Sequence, residues 1–339
     1  MLRNSHPDND LAQLIDHKPS PKVSIIIVCY NMSREVPRTV ISYLPPYQRG
    51  IGPEDIEIIV LENGSSRPIP EDVRATWPNC VRYIDIPDPQ PSPAAALNFG
   101  VEMARAPIVC PVIDGARMAS PGLVATALKA TAYSEMTFAA SVGYHLGPDM
   151  QQISVNSGYC QEVEDSLLEA ICWPSDGYRL FDICAPGGSS RSAWFGTLSE
   201  SNAPFLRKNL YLSVGGYDIR FDLPGGGLVN LDFLNRFAER PDIDFMLLMG
   251  EATFHQFHGG VTTSRDIALP EEDGETTWSK YAKQYEQIRG GPYQQSQRMP
   301  ILFGAFRASV APIAFRGLQH VIEHEKTDPA AQQSLFSPV

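Results

Sequence analysis

The sequence predicts an α/β fold with a mostly parallel central sheet that is flanked by helices on both faces. Two observations support this prediction. In the first 145 residues, apolar runs of strand length alternate with segments of helical pattern. Several of these runs are apolar at every position, which is typical of parallel strands that are buried on both sides. The chain of 339 residues is 43% hydrophobic and 19% charged, so it can bury a full core.

The elements of this first part follow each other in a regular order. Strands are predicted at 22–31, 55–65, 80–87, 107–114 and 136–147. The first helix begins near Ser33 and ends near Leu44, because two prolines follow. The next two helices, at 92–105 and 120–133, both begin with Ser-Pro. The serine can cap the helix, and the proline that follows is tolerated in the first turn.

The second part of the chain is less regular. Residues 150–200 are rich in glycine and serine, and we expect an irregular, mobile loop over a site. Helices are predicted at 203–216, 228–240 and 275–289. The segment 243–263 predicts a buried strand, a turn and a second strand that carries His255 and His258. An apolar segment with scattered arginines, 301–324, contains Pro312.

Composition excludes several classes of protein. The formal net charge is −12 and there is no basic run, so a nucleic-acid partner is not expected. No run reaches the length of a membrane span. The six cysteines form no CxxC pair and no secretory signal precedes them. We therefore expect free thiols in a protein of the reducing cytoplasm.

Polar side chains stand at the ends of three predicted strands. The first strand ends in Tyr30 and Asn31, the second in Glu62 and Asn63, and the fourth in Asp114. In parallel sheets with helices on both faces, ligands bind outside the carboxyl ends of the strands. These residues therefore predict a binding site at one edge of the sheet.

Four segments resemble the family-2 glycosyltransferases, which have the GT-A fold. In chain order they are VSIIIVCYN, IEIIVLENGS, AAALNFGVEMARAPIVCPVIDGARMASPGLV and SESNAPFLRKNLYLSVGGYDIRF. The resemblance spans about residues 22–260 and implies a GT-A-type nucleotide-diphospho-sugar transferase fold. It also implies a donor sugar linked to a nucleoside diphosphate, UDP or GDP.

The resemblance assigns the donor site by position. Tyr30, Asn31, Glu62 and Asn63 would hold the base and ribose, and a carboxylate such as that of Glu62 can accept from base N–H or ribose hydroxyl groups. Asn98 matches a polar position near the nucleotide.

Asp114 matches the first aspartate of the family's metal-binding DxD motif. There it would bind a divalent cation, Mn²⁺ or Mg²⁺, that neutralises the pyrophosphate. The motif in this chain ends in Ala116, so one carboxylate is missing. His258 is a candidate second ligand, whereas His255 would point to the opposite face if both lay on one strand. Alternatively, Arg117 supplies the positive charge and no metal is needed.

The catalytic base also departs from the family pattern. An inverting enzyme of this kind uses a carboxylate to remove the proton of the acceptor hydroxyl. The family's Glu-Asp pair falls on Val229 and Asn230, and an asparagine cannot act as a base. Asp232, two residues further, is one candidate, and Asp222 is the other. For Asp232, a purely structural role in the first turn of a helix is the competing interpretation.

Three functions are compatible with these residues. The leading one is inverting transfer of a sugar to an acceptor hydroxyl of a glycan or a lipid-linked molecule, in polysaccharide or other glycan synthesis. The second is a non-catalytic GT-A domain that binds a nucleotide-sugar or a partner protein, which the two incomplete motifs favour. The third is a nucleotidyltransferase, although CYNMSREV lacks the glycine-rich basic loop that such enzymes show.

The resemblance also suggests how the chain is divided. We expect a flexible lead-in at 1–21, a GT-A domain at 22–265 and a C-terminal helical extension at 266–339. Within the GT-A domain, 22–145 would bind the nucleotide and 146–265 the acceptor. The apolar and basic part of the extension could lie on the inner membrane face, or it could pack on the body or on a second subunit.

Overall fold

A computed structural model describes residues 20–260 and 270–327, and in these ranges the chain forms one large sheet with helices on both faces. The lead-in predicted at 1–21 falls almost entirely outside the described residues. The strands are β1 (Val23–Cys29), β2 (Ile56–Glu62), β3 (Val81–Asp85), β4 (Ile108–Val112), β5 (Arg117–Ala119), β6 (Thr137–Leu146), β7 (Cys184–Pro186), β8 (Phe205–Arg207), β9 (Asp244–His255) and β10 (Ile301–Gly304).

The helices lie mostly between the strands. They are α1 (Glu35–Tyr43), α2 (Glu71–Arg74), α3 (Ala94–Met103), α4 (Leu123–Thr131), α5 (Gln151–Ser154), α6 (Gln161–Ile171), α7 (Lys208–Ser213), α8 (Val229–Ala238), α9 (Thr277–Arg289) and α10 (Ala311–Thr327). Short 3-10 turns connect several of them, the longest at Gly177–Ile183.

The strand order across the sheet is β10-β9-β6-β8-β4-β1-β2-β3. All of these strands run in one direction except the short β8, which is antiparallel to both β4 and β6. Two further short strands, β5 and β7, pair antiparallel with β9 and β6. The α/β fold with a mostly parallel sheet is therefore as predicted, and the carboxyl ends of β1, β2, β4, β6 and β9 meet at one edge.

Strand β1 shows why the core strands are apolar at every position. All seven of its residues are buried. Ile25 and Ile27 pack in the cluster that holds α1 and α4, whereas Ile26 and Val28 pack in the cluster that holds α3 and α8. Each face of the strand therefore contacts its own helical layer, which a strand of alternating polar residues could not do.

Two predicted elements of the second half differ from the structure. The predicted helix at 203–216 begins with β8, and only Lys208–Ser213 is helical. Two strands are predicted at 243–263, of which 261–263 lie outside the described residues; the described part contains one strand, β9, which ends at His255. Gly250, with a positive φ of 75°, lies at a register shift between β6 and β9, so an irregularity within the strand replaces the expected turn.

The segment 150–200 contains more regular structure than its composition predicts. It forms α5, α6, β7 and several 3-10 turns, and it buries Trp194 completely. Its apolar residues join the larger of the two core clusters. The glycine and serine content therefore marks short elements joined by turns, and this segment supplies side chains that support the site described below.

Of the predicted C-terminal helical extension at 266–339, only residues 270–327 are among the described residues, and these are helical only in part. Helices α9 and α10 form, but β10 pairs parallel with β9 at the edge of the sheet. Pro312 lies in the first turn of α10, where proline is tolerated, so it begins that helix rather than breaking it. Helix α10 buries Ile313 and Ala314 and exposes Phe315, Leu318 and Ile322. No helix within the described ranges is long and apolar enough to cross a membrane.

Candidate functional site

The carboxyl end of β4 leads into a tight turn that presents Asp114. Gly115 is required in this turn, because a Cβ there would lie 2.4 Å from the carbonyl oxygen of Val28. The Ala116 N–H donates to Asp114 Oδ1 at 2.9 Å, which leaves Oδ2 facing the end of β9. Ala116 itself is buried in the cluster that holds α1 and α4, so a carboxylate at this position would be desolvated among apolar groups.

Two histidines meet Asp114 at this point. His255 Nε2 lies 2.8 Å and His258 Nε2 lies 3.4 Å from Asp114 Oδ2, and the two nitrogens are 3.1 Å apart. The three ligand atoms lie within 4.8 Å of one another. The prediction that His255 faces away from the site is therefore wrong. The strand ends at His255, so the alternation of side chains does not extend to His258.

The backbone after β9 is held so that His258 turns back onto Asp114. The N–H of Phe257 donates to Glu164 at 2.7 Å, and its carbonyl oxygen accepts from Arg34 at 3.2 Å. The N–H of Gln256 donates to the carbonyl oxygen of Ala116 at 2.8 Å. Glu164 lies on α6, in the segment whose sequence predicts only a loop, and no local signal marks it as part of the site.

Gln151 fixes the proton position on His255. The Gln151 amide donates from Nε2 to the carbonyl oxygens of His255, at 2.9 Å, and Leu146, at 3.3 Å. Its Oε1 therefore accepts from the protonated Nδ1 of His255 at 2.6 Å. The Nε2 lone pair of His255 then points at Asp114. A ring N–H bound in this way is the usual support of a metal-ligating histidine.

The surroundings of the two histidines shift their pKa values in opposite directions. Burial lowers the pKa of His255 to about 4, so this ring is neutral near pH 7. Burial also disfavours the charged form of His258, but the adjacent Asp114 carboxylate outweighs this effect and raises the pKa of His258. The three ligand atoms therefore require a positive charge between them, which either a proton on His258 or a bound cation supplies. A divalent cation fits this requirement, since two imidazole nitrogens and one carboxylate oxygen converge there.

Arg117 lies beside the cluster on β5, where its backbone is paired with that of His255. The side chain is about nine-tenths buried, and its Nε has no hydrogen-bond partner among the described residues. A Cβ on Gly143 would lie 3.3 Å from Arg117 Nη1 and 3.2 Å from Asn202 Nδ2. Within the described ranges no carboxylate pairs with this buried guanidinium, which is unusual because burying an unpaired charge is costly.

The predicted residues at the ends of β1 and β2 also lie side by side. Asn31 has a positive φ of 54°, its N–H donates to Ser65 Oγ, and its Oδ1 accepts from the loop after β2. Glu62 is buried and accepts from the Ser65 N–H and from Tyr83 OH, at 3.1 and 2.7 Å. Glu62 therefore holds the loop in place and is itself already hydrogen-bonded.

Two neighbours at this edge keep unused recognition groups. The ring of Tyr30 is 56% exposed. Asn63 donates from Nδ2 to the carbonyl oxygen of Gln90 at 2.9 Å, and its Oδ1 is buried without a hydrogen-bond partner among the described residues. An open aromatic face and a free amide oxygen are groups that can contact a nucleobase.

Asn98 has a different environment from the one predicted. Its Oδ1 accepts from Tyr211 OH at 2.5 Å and from the Tyr217 N–H at 2.9 Å, and its Nδ2 donates to the Tyr217 carbonyl at 2.8 Å. The side chain thus joins α3 to the turn after α7. Its hydrogen-bonding groups are satisfied within the protein.

The two predicted bases also differ in environment. Asp232 is buried and accepts two hydrogen bonds from Arg289, at 2.6 and 2.7 Å, and one from Arg236 at 2.9 Å. Asp222 is exposed and accepts one hydrogen bond from Gln284 at 2.7 Å. Two arginines occupy both carboxylate oxygens of Asp232, so its contacts match the structural interpretation of this residue.

Residues 24–114 match the model of the family described as Glycosyl transferase family 2. This match confirms the resemblance that the sequence motifs show, and it covers the strands and the turn that lead to Asp114. Together with the observed strand order, it agrees with the GT-A-type fold. No curated protein matches the chain at a significant level.

Solved structures of S. aureus TarS are similar to this chain over part of its length. A 1–349 fragment in complex with UDP is 10% identical with a TM-score of 0.46, and the match covers 70% of this chain and 60% of that one. The fragment in complex with UDP-GlcNAc is 11% identical with a TM-score of 0.47, covering 78% and 66%. A further TarS structure is 12% identical with a TM-score of 0.44, and the match covers only 37% of it.

Proposed function

We propose that this protein is an inverting glycosyltransferase that moves a sugar from a UDP- or GDP-sugar to an acceptor hydroxyl. The observation that carries the proposal is the cluster of Asp114, His255 and His258. It lies at the carboxyl ends of β4 and β9, and its Asp114 is the last residue of the segment that matches the glycosyltransferase family. In sheets of this kind, that edge is where ligands bind.

The proposal includes a divalent cation held by Asp114, His255 and His258. This set differs from the predicted one by His255, and it replaces the carboxylate that the motif lacks at Ala116. Two imidazole ligands favour Mn²⁺ over Mg²⁺, because Mg²⁺ is bound almost entirely by oxygen ligands. When bound, the cation would neutralise the charge that develops on the nucleoside diphosphate as it leaves.

The remaining donor contacts are divided among the strand ends. We assign the base to Tyr30, whose ring is exposed, and to Asn63, whose buried amide oxygen has no hydrogen-bond partner among the described residues. Asn31 and Glu62 shape the loop around them through Ser65. The guanidinium of Arg117, whose Nε has no partner among the described residues, adds a positive charge for the diphosphate or for an acidic group on the sugar. Arg117 therefore assists the cation in this proposal and does not replace it.

The acceptor side of the proposal rests on fewer observations. A glycan or a lipid-linked molecule in polysaccharide synthesis would supply the hydroxyl, and the protein would act in the cytoplasm. The exposed side chains of Phe315, Leu318 and Ile322 share one side of α10. This surface supports a peripheral contact with the inner membrane face or with a second subunit.

A non-catalytic GT-A domain is the second candidate. It is favoured by Asn230, which stands where the family has its catalytic aspartate, and by Ala116 in the metal motif. Such a domain would keep the site described above for binding a nucleotide-sugar or a partner protein, without turnover.

The proposal can be tested by calorimetric titration of UDP and GDP, each with and without Mn²⁺. We expect one nucleotide to bind in the presence of Mn²⁺, and we expect Asp114→Ala to abolish this binding, since it removes the only carboxylate ligand. Asp88→Ala, an exposed aspartate beyond β3, serves as the control and should bind as the wild type does. Failure of either nucleotide to bind the wild type would contradict the proposal, and binding that Asp114→Ala leaves unchanged would contradict the metal site. Binding without release of the nucleotide from any donor sugar would favour the non-catalytic domain.

A further inference from the structure

A carboxylate to which the sequence motifs assign no role faces the position of the missing base. Glu200 lies in the loop before β8 and is half-buried. Its Oε2 accepts from Asn230 Nδ2 at 3.2 Å, and its Oε1 accepts from Ser189 Oγ at 3.0 Å. Asn230 is the residue at which the family pattern expects the catalytic aspartate. A carboxylate therefore lies within hydrogen-bond distance of that side chain, although it comes from a different part of the chain.

Asn230 and Asn202 connect Glu200 to the end of β4, which presents Asp114. Asn230 Nδ2 also donates to Asn202 Oδ1 at 3.1 Å, so the amide nitrogen bridges two oxygens. The carbonyl oxygen of Asn202 accepts from the N–H of Ile113, the residue before Asp114, at 3.4 Å. Asn202, two residues after Glu200 in the chain, therefore contacts the backbone of the residue before Asp114.

The contacts of Glu200 suit a group that must gain and lose a proton. Both donors, Ser189 and Asn230, are neutral, and each carboxylate oxygen keeps a further lone pair for a substrate hydroxyl. Asp232, also on α8, differs in this respect. Asp232 is paired with Arg236 and Arg289, and protonation would cost it those ion pairs.

We propose that Glu200 is the general base of the transfer reaction, an inference that rests on the proposed glycosyltransferase function. Glu200 would accept the proton of the acceptor hydroxyl as its oxygen forms a bond to the anomeric carbon of the donor. The bond from that carbon to the diphosphate oxygen breaks, and its electron pair leaves with the nucleoside diphosphate. Glu200 then releases the proton to solvent. Asn230 and Ser189 are positioning residues that orient the carboxylate.

The test compares donor breakdown and nucleotide binding in the same variants. Nucleoside diphosphate release is measured with Mn²⁺ from UDP-glucose, UDP-galactose, UDP-N-acetylglucosamine and GDP-mannose, with water as the acceptor. We expect Glu200→Gln to lower the release by 100-fold or more, in the range that a general base contributes. Its affinity for UDP or GDP with Mn²⁺ should stay within about threefold of wild type, because Glu200 contacts the acceptor side. Glu102→Gln is the matched control, since Glu102 is an exposed carboxylate at the end of α3.

A double variant guards against a simple structural effect. The double variant combines Glu200→Gln with Asn230→Asp, so the carboxylate moves to residue 230, where the family pattern has its aspartate. We expect this variant to recover part of the nucleoside diphosphate release that Glu200→Gln loses. Release by Glu200→Gln at the wild-type rate would overturn the inference, and loss in Asp222→Asn alone would assign the base to Asp222. Wild-type protein that binds the nucleotide but releases none from any donor would also overturn it. Absence of nucleotide binding would instead contradict the proposed function itself.

Discussion

At the scale of single residues, the structure shows that Asp232 is held by ion pairs within the protein. Asp232 was one of two candidates for the base, and the acid at its position follows the family pattern. Its two oxygens are occupied by arginines from α8 and α9. The sequence could not show this, because Arg289 is 57 positions away and no periodic pattern connects the two residues.

We expect Asp232→Asn to lower the free energy of unfolding by about 3 kcal/mol, the lower end of the range for a broken buried ion pair. The lower end applies because Arg289 keeps a second partner in Asp218, at 2.9 Å. Denaturant titration of the folded protein measures this change. Asp242→Asn, in an exposed pair with Arg240, is the control and should alter stability far less. An Asp232→Asn variant as stable as the wild type would contradict this structural role.

His255 shows a second limit of sequence reasoning at this scale. Strand alternation predicts opposite faces for residues three apart, and that argument holds only while both residues lie on the strand. Here β9 ends at His255, and the turn that brings His258 back depends on Glu164 and Arg34, which are distant in sequence. Asp114, in contrast, could be predicted, because it directly follows an apolar run and precedes Gly115.

At the scale of elements, the edge of the sheet opposite the site is held by a buried glutamate. Glu57 of β2 accepts hydrogen bonds from Ser24 of β1 at 2.6 Å, from Arg82 of β3 at 2.9 Å and from Arg105 after α3 at 2.6 Å. Burial acts to raise the pKa of Glu57, but these donors and the Arg105 N–H outweigh burial and lower it below its ordinary value of 4.5.

This shift predicts a direction of pH dependence. Because the pKa of Glu57 is lower in the folded than in the unfolded protein, its contribution to stability is present above about pH 4.5 and is lost as the pH falls below that value. We expect the wild type to lose more stability than Glu57→Gln between pH 7 and pH 3, as measured by urea titration at each pH. Glu54→Gln, an exposed neighbour, should behave as the wild type does. Equal losses in the wild type and Glu57→Gln would refute this assignment.

At the scale of the whole molecule, the metal cluster joins two distant parts of the chain. Asp114 follows β4 near the middle of the sheet, whereas His255 ends β9 after a further 141 residues. A ligand that binds only the folded state stabilises it in proportion to the logarithm of its concentration over Kd, by about 2.7 kcal/mol at 100 times Kd. The proposed cation should therefore stabilise the folded state.

We expect Mn²⁺ to raise the Tm of the wild type by several degrees in a thermal melt, and EDTA to reverse the rise. His255→Ala should show no rise, because it loses the ligand that Gln151 orients. The comparison uses the change on adding Mn²⁺, so a lower starting Tm of this buried variant does not affect it. An equal rise in His255→Ala and in the wild type would place the cation elsewhere.

The architecture was predictable at this scale because its signal is repeated along the chain. Each core strand, such as β1 or β2, is buried at every position, and a helix with an apolar face follows most of them. The second half lacks this repetition. The strand β8 has three residues and β9 contains a glycine that resembles a turn signal, so both were assigned incorrectly. Gln151 and Glu164 could not be assigned to the site, since their roles depend on how that half folds back.

The pairing of β10 with β9 has a practical consequence for anyone who shortens this protein. A fragment that stops at residue 265, where the sequence suggests a boundary, would lack Ile301–Gly304. The backbone groups of Met246–Met249 that these residues cover would then form an open edge, which invites pairing between molecules and precipitation. The same strand ends in His255, so its distortion would also reach the metal cluster. Fragments for crystallisation or screening should therefore extend beyond Gly304.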